Sequence, residues 1–82
     1  MSDEQIRDIV IDELSNIAPE ADLSTLDETT ALRDALDIDS IDFLNLVIAL
    51  NRRLKVAIPE ADYGRLATLQ GLVSYLSEKA KA

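Results

Sequence analysis

Apolar residues recur at helical spacing in separate stretches of the chain. Ile6, Ile9, Val10, Leu14 and Ile17 form one such stripe, which predicts an amphipathic helix over residues 3–17. Ser2 followed by Gln5 has capping-box spacing, and Asp3 and Glu4 lie where the helix dipole favours negative charge. Pro19 stops the helix soon after Ile17. The strongest pattern covers residues 40–54. Ile41, Leu44, Val47, Ile48 and Leu54 define a stripe, and Phe43, Leu46 and Leu50 widen it until much of the circumference is apolar, as in a central bundle helix. Asp39 is a good N-cap for it, with Asp42 three residues on. After Ile58 and Pro59, residues 60–66 predict a short third helix, weakened by Gly64. Thr68 caps a last helix running to about Lys79, with Leu69, Leu72, Val73 and Leu76 on its buried face and Lys79 and Lys81 at its C-terminal end.

Residues 18–36 are a long connection rich in Asp, Glu, Ser and Thr, punctuated by Leu23, Leu26, Leu32 and Leu36. Structureless loops of this length are uncommon in compact domains, so these leucines are expected to anchor it over the core. Thr25 and Glu28 have capping-box spacing, which predicts a helical turn near Asp27–Leu32. The expected fold is all-α: an irregular four-helix bundle of three longer helices and one short one, with a long first connection, in a single domain over residues 1–82.

Composition narrows the function. The chain has neither cysteine nor histidine. That removes disulfides, thiolate nucleophiles, zinc–sulfur sites and the commonest general base, so neither a metal site nor catalysis by the chain itself is expected. No apolar run approaches the roughly 20 residues of a membrane helix, and the polar, acidic start is unlike a secretory signal; a cytoplasmic protein without membrane insertion is expected. The net charge of −8 opposes nucleic acid and favours basic protein partners. The charge is uneven: residues 1–42 hold thirteen acids and two bases, residues 43–82 three acids and six bases.

The segment richest in chemistry runs from Leu36 to Leu44, where Ser40 sits among Asp37, Asp39 and Asp42 at the start of an apolar helix. A self-activated serine needs a base and an oxyanion hole. The chain has no histidine, and neighbouring acids raise the cost of an alkoxide. Ser40 therefore reads as an acceptor modified by another protein, or as an ordinary exposed serine beside an N-cap; spacing alone leaves both open. A phosphodiester there would meet free backbone N–H groups at the helix start. The three aspartates do not make an EF-hand, which needs a glycine at its turn and a distant glutamate in register.

Asp39-Ser40-Ile41, followed by Asp42, resembles the Asp-Ser-Leu hallmark of the acyl carrier protein family. The resemblance extends over nearly the whole chain: the leading helix, the leucine-anchored loop, the block from Asp37 to Leu54, Ile58-Pro59-Glu60 and the closing Leu66-to-Leu76 segment fall in family order. It implies a carrier rather than an enzyme. A phosphopantetheinyl transferase would move a 4'-phosphopantetheine arm from coenzyme A onto Ser40. The arm's thiol would then hold an acyl group as a thioester for acyl-loading and acyl-processing enzymes of fatty acid, lipid or related biosynthesis, with the carrier itself a monomer. By the same resemblance Asp37, Asp39, Ile41, Asp42, Phe43, Asn45, Arg52 and Arg53 are candidates for partner recognition. Ile41, Leu44, Val47, Ile48, Leu66, Leu69 and Leu72 are candidates for an acyl-accepting interior, although core packing has first claim on them. Three departures stand out. Asp37-Ile38 replaces the family's usual Gly-Ala, Asn45 and Asn51-Arg52-Arg53 stand where acids are usual, and Phe43 is bulky where a small polar residue is common. They point either to a specialised carrier or to ordinary drift on a solvated face. A peptidyl or aminoacyl carrier, and a helical adaptor without prosthetic group, are the alternatives.

Overall fold

In the computed structural model, which describes residues 2–80, the chain forms four α-helices and two 3₁₀ segments. The helices are α1 (Asp3–Ile17), α2 (Leu32–Ala35), α3 (Ser40–Leu54) and α4 (Leu69–Ala80). One 3₁₀ segment, Leu23–Thr25, lies in the first connection, and the other, Glu60–Leu66, bridges α3 and α4. The all-α bundle expected from the periodicity is therefore present. The short helix before α4 is 3₁₀ rather than α, and α2 is an additional single turn. Lys81, expected at the end of α4, lies outside the described residues.

Each long helix starts where its sequence signal lies. Ser2 and Gln5 form the reciprocal capping box, at 3.2 and 2.9 Å. The Asp39 carboxylate accepts the Asp42 N–H at 2.8 Å, and the Thr68 hydroxyl accepts the Gly71 N–H at 3.0 Å. The core is built from Ile6, Val10 and Leu14 of α1, Leu46, Val47 and Leu50 of α3, and Leu69, Leu72, Tyr75 and Leu76 of α4, closed by Leu32 and Leu66. Fully burying one such side chain is worth about 1.5–3 kcal/mol. Arg53 ties α3 to α1, 2.5 Å from Asp12 and 3.7 Å from Glu13.

The buried face of α3 corrects the stripe read from sequence. Leu46, Val47 and Leu50 are inside, with Phe43 and Leu54 packed against them, whereas Ile41, Leu44 and Ile48 are exposed. The helix carries two apolar stripes, each at helical spacing, and only one can face α1 and α4.

The first connection is built differently from the expected Asp27–Leu32 turn. Asp27 accepts the Thr29 N–H at 2.8 Å and the Thr29 hydroxyl at 2.7 Å, a local bonding pattern that competes with helix. Asp22 does the same for Ser24, and in both cases the hydroxyl bond, then the backbone bond, holds the carboxyl below its usual range. The Thr25 hydroxyl donates to the Asp22 carbonyl, so the Thr25–Glu28 capping box does not form. The connection is instead fastened to the start of α4. The Leu32 N–H donates to the Ala67 carbonyl at 2.7 Å and the Gln70 N–H to the Glu28 carbonyl at 3.0 Å, around an antiparallel bridge between Ala31 and Thr68. Arg7 pairs with Glu28, adding a tie to α1. Gly71 permits the close approach: a Cβ there would sit 2.4 Å from the Arg65 carbonyl oxygen.

Between α2 and α3 the chain reverses through Asp37, at φ 53°. The Ile38 N–H returns to the Arg33 carbonyl at 3.2 Å, and the Ile38 side chain is buried beneath the turn. This is the 6→1 bond of a Schellman ending, whose left-handed position favours glycine. Asp37 adopts it at a conformational cost that glycine would not bear. Asp37→Gly is therefore expected to raise stability by about 0.5–1 kcal/mol and Asp37→Val to lower it, since a β-branched residue is worst at positive φ. Urea denaturation of the three proteins checks the order; Asp37→Gly below wild type would contradict it.

Tyr75 is the one aromatic side chain wholly inside the core among the described residues. Its hydroxyl donates to Asp62 at 2.6 Å, and Arg65 and Lys79 lie 5.0 and 5.5 Å from the ring centre. Burial, then the hydrogen bond to Asp62, pushes the phenol up to about 12. Folding thus favours the protonated phenol. This stabilisation is complete below the unfolded value near 10 and is lost as pH rises toward 12. Tyr75→Phe is expected to cost about 1–2 kcal/mol at pH 8 through loss of the bond to a carboxylate. That cost should shrink by pH 11. Denaturation at both pH values checks it; a cost independent of pH would contradict the assignment.

Candidate functional site

Ser40 is the first residue of α3 and is exposed. Two features place it. The turn at Asp37, anchored by Ile38, brings the chain out of α2, and the Asp39 cap starts the new helix. The Asp39 carboxylate occupies the Asp42 N–H, and the Phe43 N–H reaches the Asp39 carbonyl at 3.1 Å. The N–H groups of Ser40 and Ile41 have no intrahelical acceptor, because α3 begins at Ser40. Among the described residues the Ser40 hydroxyl makes no hydrogen bond. It is an exposed hydroxyl at the positive end of a 15-residue helix.

Beside Ser40 lies a cleft of about 560 Å³ between α3 and the 3₁₀ segment that follows it. Phe43 and Leu44 line one wall, and Tyr63, Gly64 and Ala67 line the other. Ala31 closes the floor, with Arg33 and Glu60 also on the lining. Phe43 and Tyr63 meet edge to face at 6.4 Å between ring centres. A Cβ on Gly64 would touch nothing within 4 Å, so the missing side chain leaves that space open.

The residues singled out from sequence divide in space. Asp39 is exposed beside Ser40, and Asp42 is half-buried one turn into α3. Asp37 sits in the strained turn and Phe43 in the cleft wall. Ile41 and Asn45 are exposed on the outer face of α3. Arg52 is exposed at the far end, and Arg53 is engaged with Asp12. Of the seven positions considered for an acyl-accepting interior, Val47, Leu66, Leu69 and Leu72 are buried in the core. Leu44 lines the cleft, and Ile41 and Ile48 face outward. The cleft residues missed from sequence are Ala31, Arg33, Glu60, Tyr63, Gly64 and Ala67. Gly64, a helix-weakening residue in a helical segment, is the one signal that was available.

The arrangement suits a covalently attached phosphorylated group. The acceptor oxygen is accessible, two backbone donors are free at the helix start, and an apolar cleft opens alongside. Residues 4–76 match the family described as "Phosphopantetheine attachment site". The chain is 31% identical to the acyl carrier protein of Bdellovibrio bacteriovorus over 95% of its own length and 94% of that protein. It is 33% identical to the acyl carrier protein of Campylobacter concisus, covering 95% of each chain. It is 32% identical to "Polyketide-8 synthase acyl carrier protein 1" of Streptomyces avermitilis, over 95% of this chain and 87% of that protein. With both the fold and the match extending across nearly its whole length, the chain belongs to the phosphopantetheine attachment-site family, that of the acyl carrier proteins.

Proposed function

We propose that residues 1–82 are one carrier domain that presents acyl intermediates as thioesters on a 4'-phosphopantetheine arm attached to Ser40. The observation that carries this reading is the free, exposed Ser40 hydroxyl at the start of α3, beside an apolar cleft, in a chain of this family. In the loading step the Ser40 oxygen bonds to the phosphorus of the arm. The pyrophosphate bond of coenzyme A breaks, and adenosine 3',5'-bisphosphate leaves. The serine proton passes to a base on the phosphopantetheinyl transferase: the chain has no histidine, and the neighbouring Asp39 carboxylate is already engaged as acceptor of the Asp42 N–H. When bound, the arm supplies the thiol that this cysteine-free chain lacks. The chain contributes position rather than catalysis. The free N–H groups at the start of α3 would hold the phosphate of the arm, and Asp39 and Asp42 offer a charged edge for a basic transferase.

The cleft walled by Phe43, Leu44, Tyr63 and Ala67 gives the arm and the first carbons of its cargo an apolar shelter next to the attachment point. Val47, Leu66, Leu69 and Leu72, already close-packed, serve the core. Ile41 and Asn45, exposed on either side of Asp42 in sequence, form the surface that acyl-loading and acyl-processing enzymes read. Among the described residues no helix is long and apolar enough to cross a membrane. The proposed meeting place with these partners is the cytoplasm. A relative named simply acyl carrier protein and one named for a polyketide synthase match at similar identity, so fatty acyl and polyketide chains are both natural cargo to test.

Ser40→Ala is expected to abolish arm attachment and to leave stability within about 0.5 kcal/mol of wild type, as for an exposed position with no buried contacts. Intact mass after incubation with a phosphopantetheinyl transferase and coenzyme A, with urea denaturation alongside, measures both. Attachment to the alanine variant would place the arm elsewhere. No attachment to the wild type would refute the carrier reading.

A further inference from the structure

The outer face of α3 changes sign along its length. With 3.6 residues per turn, Ile41, Leu44, Asn45, Ile48 and Arg52 fall within a sector of about 100°. All five are exposed; Ile41 shows 69% of its surface, Leu44 43% and Ile48 41%. These are the three large apolar side chains that stand out on the described surface, and they lie on one line. Asp39 and Asp42 flank the end of that line nearest Ser40. The other end finishes in Arg52, about 16–17 Å from Ile41 at 1.5 Å per residue, with the exposed Lys55 just past the end of α3.

The charges at that far end are unspent. Arg53, between them in sequence, is held by Asp12 and Glu13, and Asn51 donates to the Val56 carbonyl at 2.6 Å. Those two side chains serve the fold. Among the described residues neither Arg52 nor Lys55 has a carboxylate within ion-pair distance, although the chain carries twice as many acids as bases. Exposed apolar side chains in a row, bracketed by opposite charges, mark an interaction surface with a built-in direction.

We infer that this face docks acyl-processing enzymes whose own surface is bipolar. Such a partner has basic side chains beside the mouth that receives the arm, a hydrophobic strip next to them, and acidic side chains about 16–18 Å further out to meet Arg52 and Lys55. The inference rests on the arm being at Ser40, which fixes the end of the strip that faces the partner's mouth. A partner basic along its whole face meets like charge at Arg52 and Lys55, which disfavours it and slows association. The pair of cations thus selects among enzymes, while the transferase contacts the other end.

The probes are two condensing enzymes of known structure, chosen for their docking faces. One is basic throughout, and the other carries an acidic cluster at the required distance from its active-site mouth. Transferase-loaded wild type and the Arg52→Glu, Lys55→Glu double variant are compared with each at low and moderate salt. The wild type is expected to favour the enzyme with the acidic cluster. The double variant should move the ratio of kcat/KM values at least tenfold toward the all-basic enzyme, and the shift should shrink with salt. Intact mass should show both proteins loaded by the transferase at similar rates. Normal loading with an unchanged ratio overturns the bipolar docking surface and leaves the carrier reading standing, whereas failure of the wild type to load refutes the carrier reading itself. Sedimentation of the wild type under assay conditions should show a single copy. A dimer broken by the double variant would mean that the face covers a second copy, and would overturn the inference.

Discussion

The structure turns on the fastening of the long first connection to the start of α4. Two backbone bonds, Leu32 to Ala67 and Gln70 to Glu28, join segments that are far apart in sequence. Leu32 is buried, whereas Glu28, Ala67 and Gln70 are exposed, so each bond is worth about 0.5–1.5 kcal/mol net and acts chiefly by fixing the two segments together. The fastening depends on two small details of α4. Thr68 caps the helix while bridging to Ala31, and Gly71 lets the helix approach the Arg65 carbonyl. With the connection held there, Leu32 enters the core and α2 is fixed. The turn at Asp37 and the start of α3 follow within a few residues. Ser40 is therefore exposed yet held in place, its position set by bonds made on the opposite side of the cleft.

The same fastening explains the cleft. Ala31 and Ala67 form part of its lining because the backbone bonds draw their segments together, and both have side chains too small to fill the space between Phe43 and Tyr63. Gly64 leaves a further gap. An apolar opening next to Ser40 is thus produced by small residues at a backbone junction. Without histidine or cysteine, the chain offers an oxygen, two free N–H groups, an apolar surface and a charge pattern, which together suffice for carrying and for being recognised.

Much of this was legible in the sequence. The capping signals at Ser2, Asp39 and Thr68 each start a helix in the structure, because a cap is a local bond between residues three apart. The all-α class and the exposed position of Ser40 follow from the same local rules. The choice between the two stripes of α3 was not legible. Ile41-Leu44-Ile48 and Phe43-Leu46-Val47-Leu50 both have helical spacing, and only contact with α1 and α4 decides which is buried. The helical turn expected near Asp27–Leu32 failed because Asp27 bonds its own downstream backbone, leaving the single turn of α2 to begin at Leu32. The cleft was invisible for a related reason. Its lining comes from four segments whose meeting depends on long-range backbone bonds, which no periodicity encodes. Arg53 was read as a surface charge like Arg52, and only the packing of α3 on α1 shows that it is engaged.

The claim that the connection is built onto α4, and thereby fixes the ground in front of Ser40, is tested most directly by native-state hydrogen exchange at Leu32 and Gln70. The account predicts that both amides exchange nearly as slowly as those in the middle of α1, through global unfolding rather than local opening. Exchange at the rate of the solvent-facing amide of Glu20 would contradict it, since the junction would then open independently of the core.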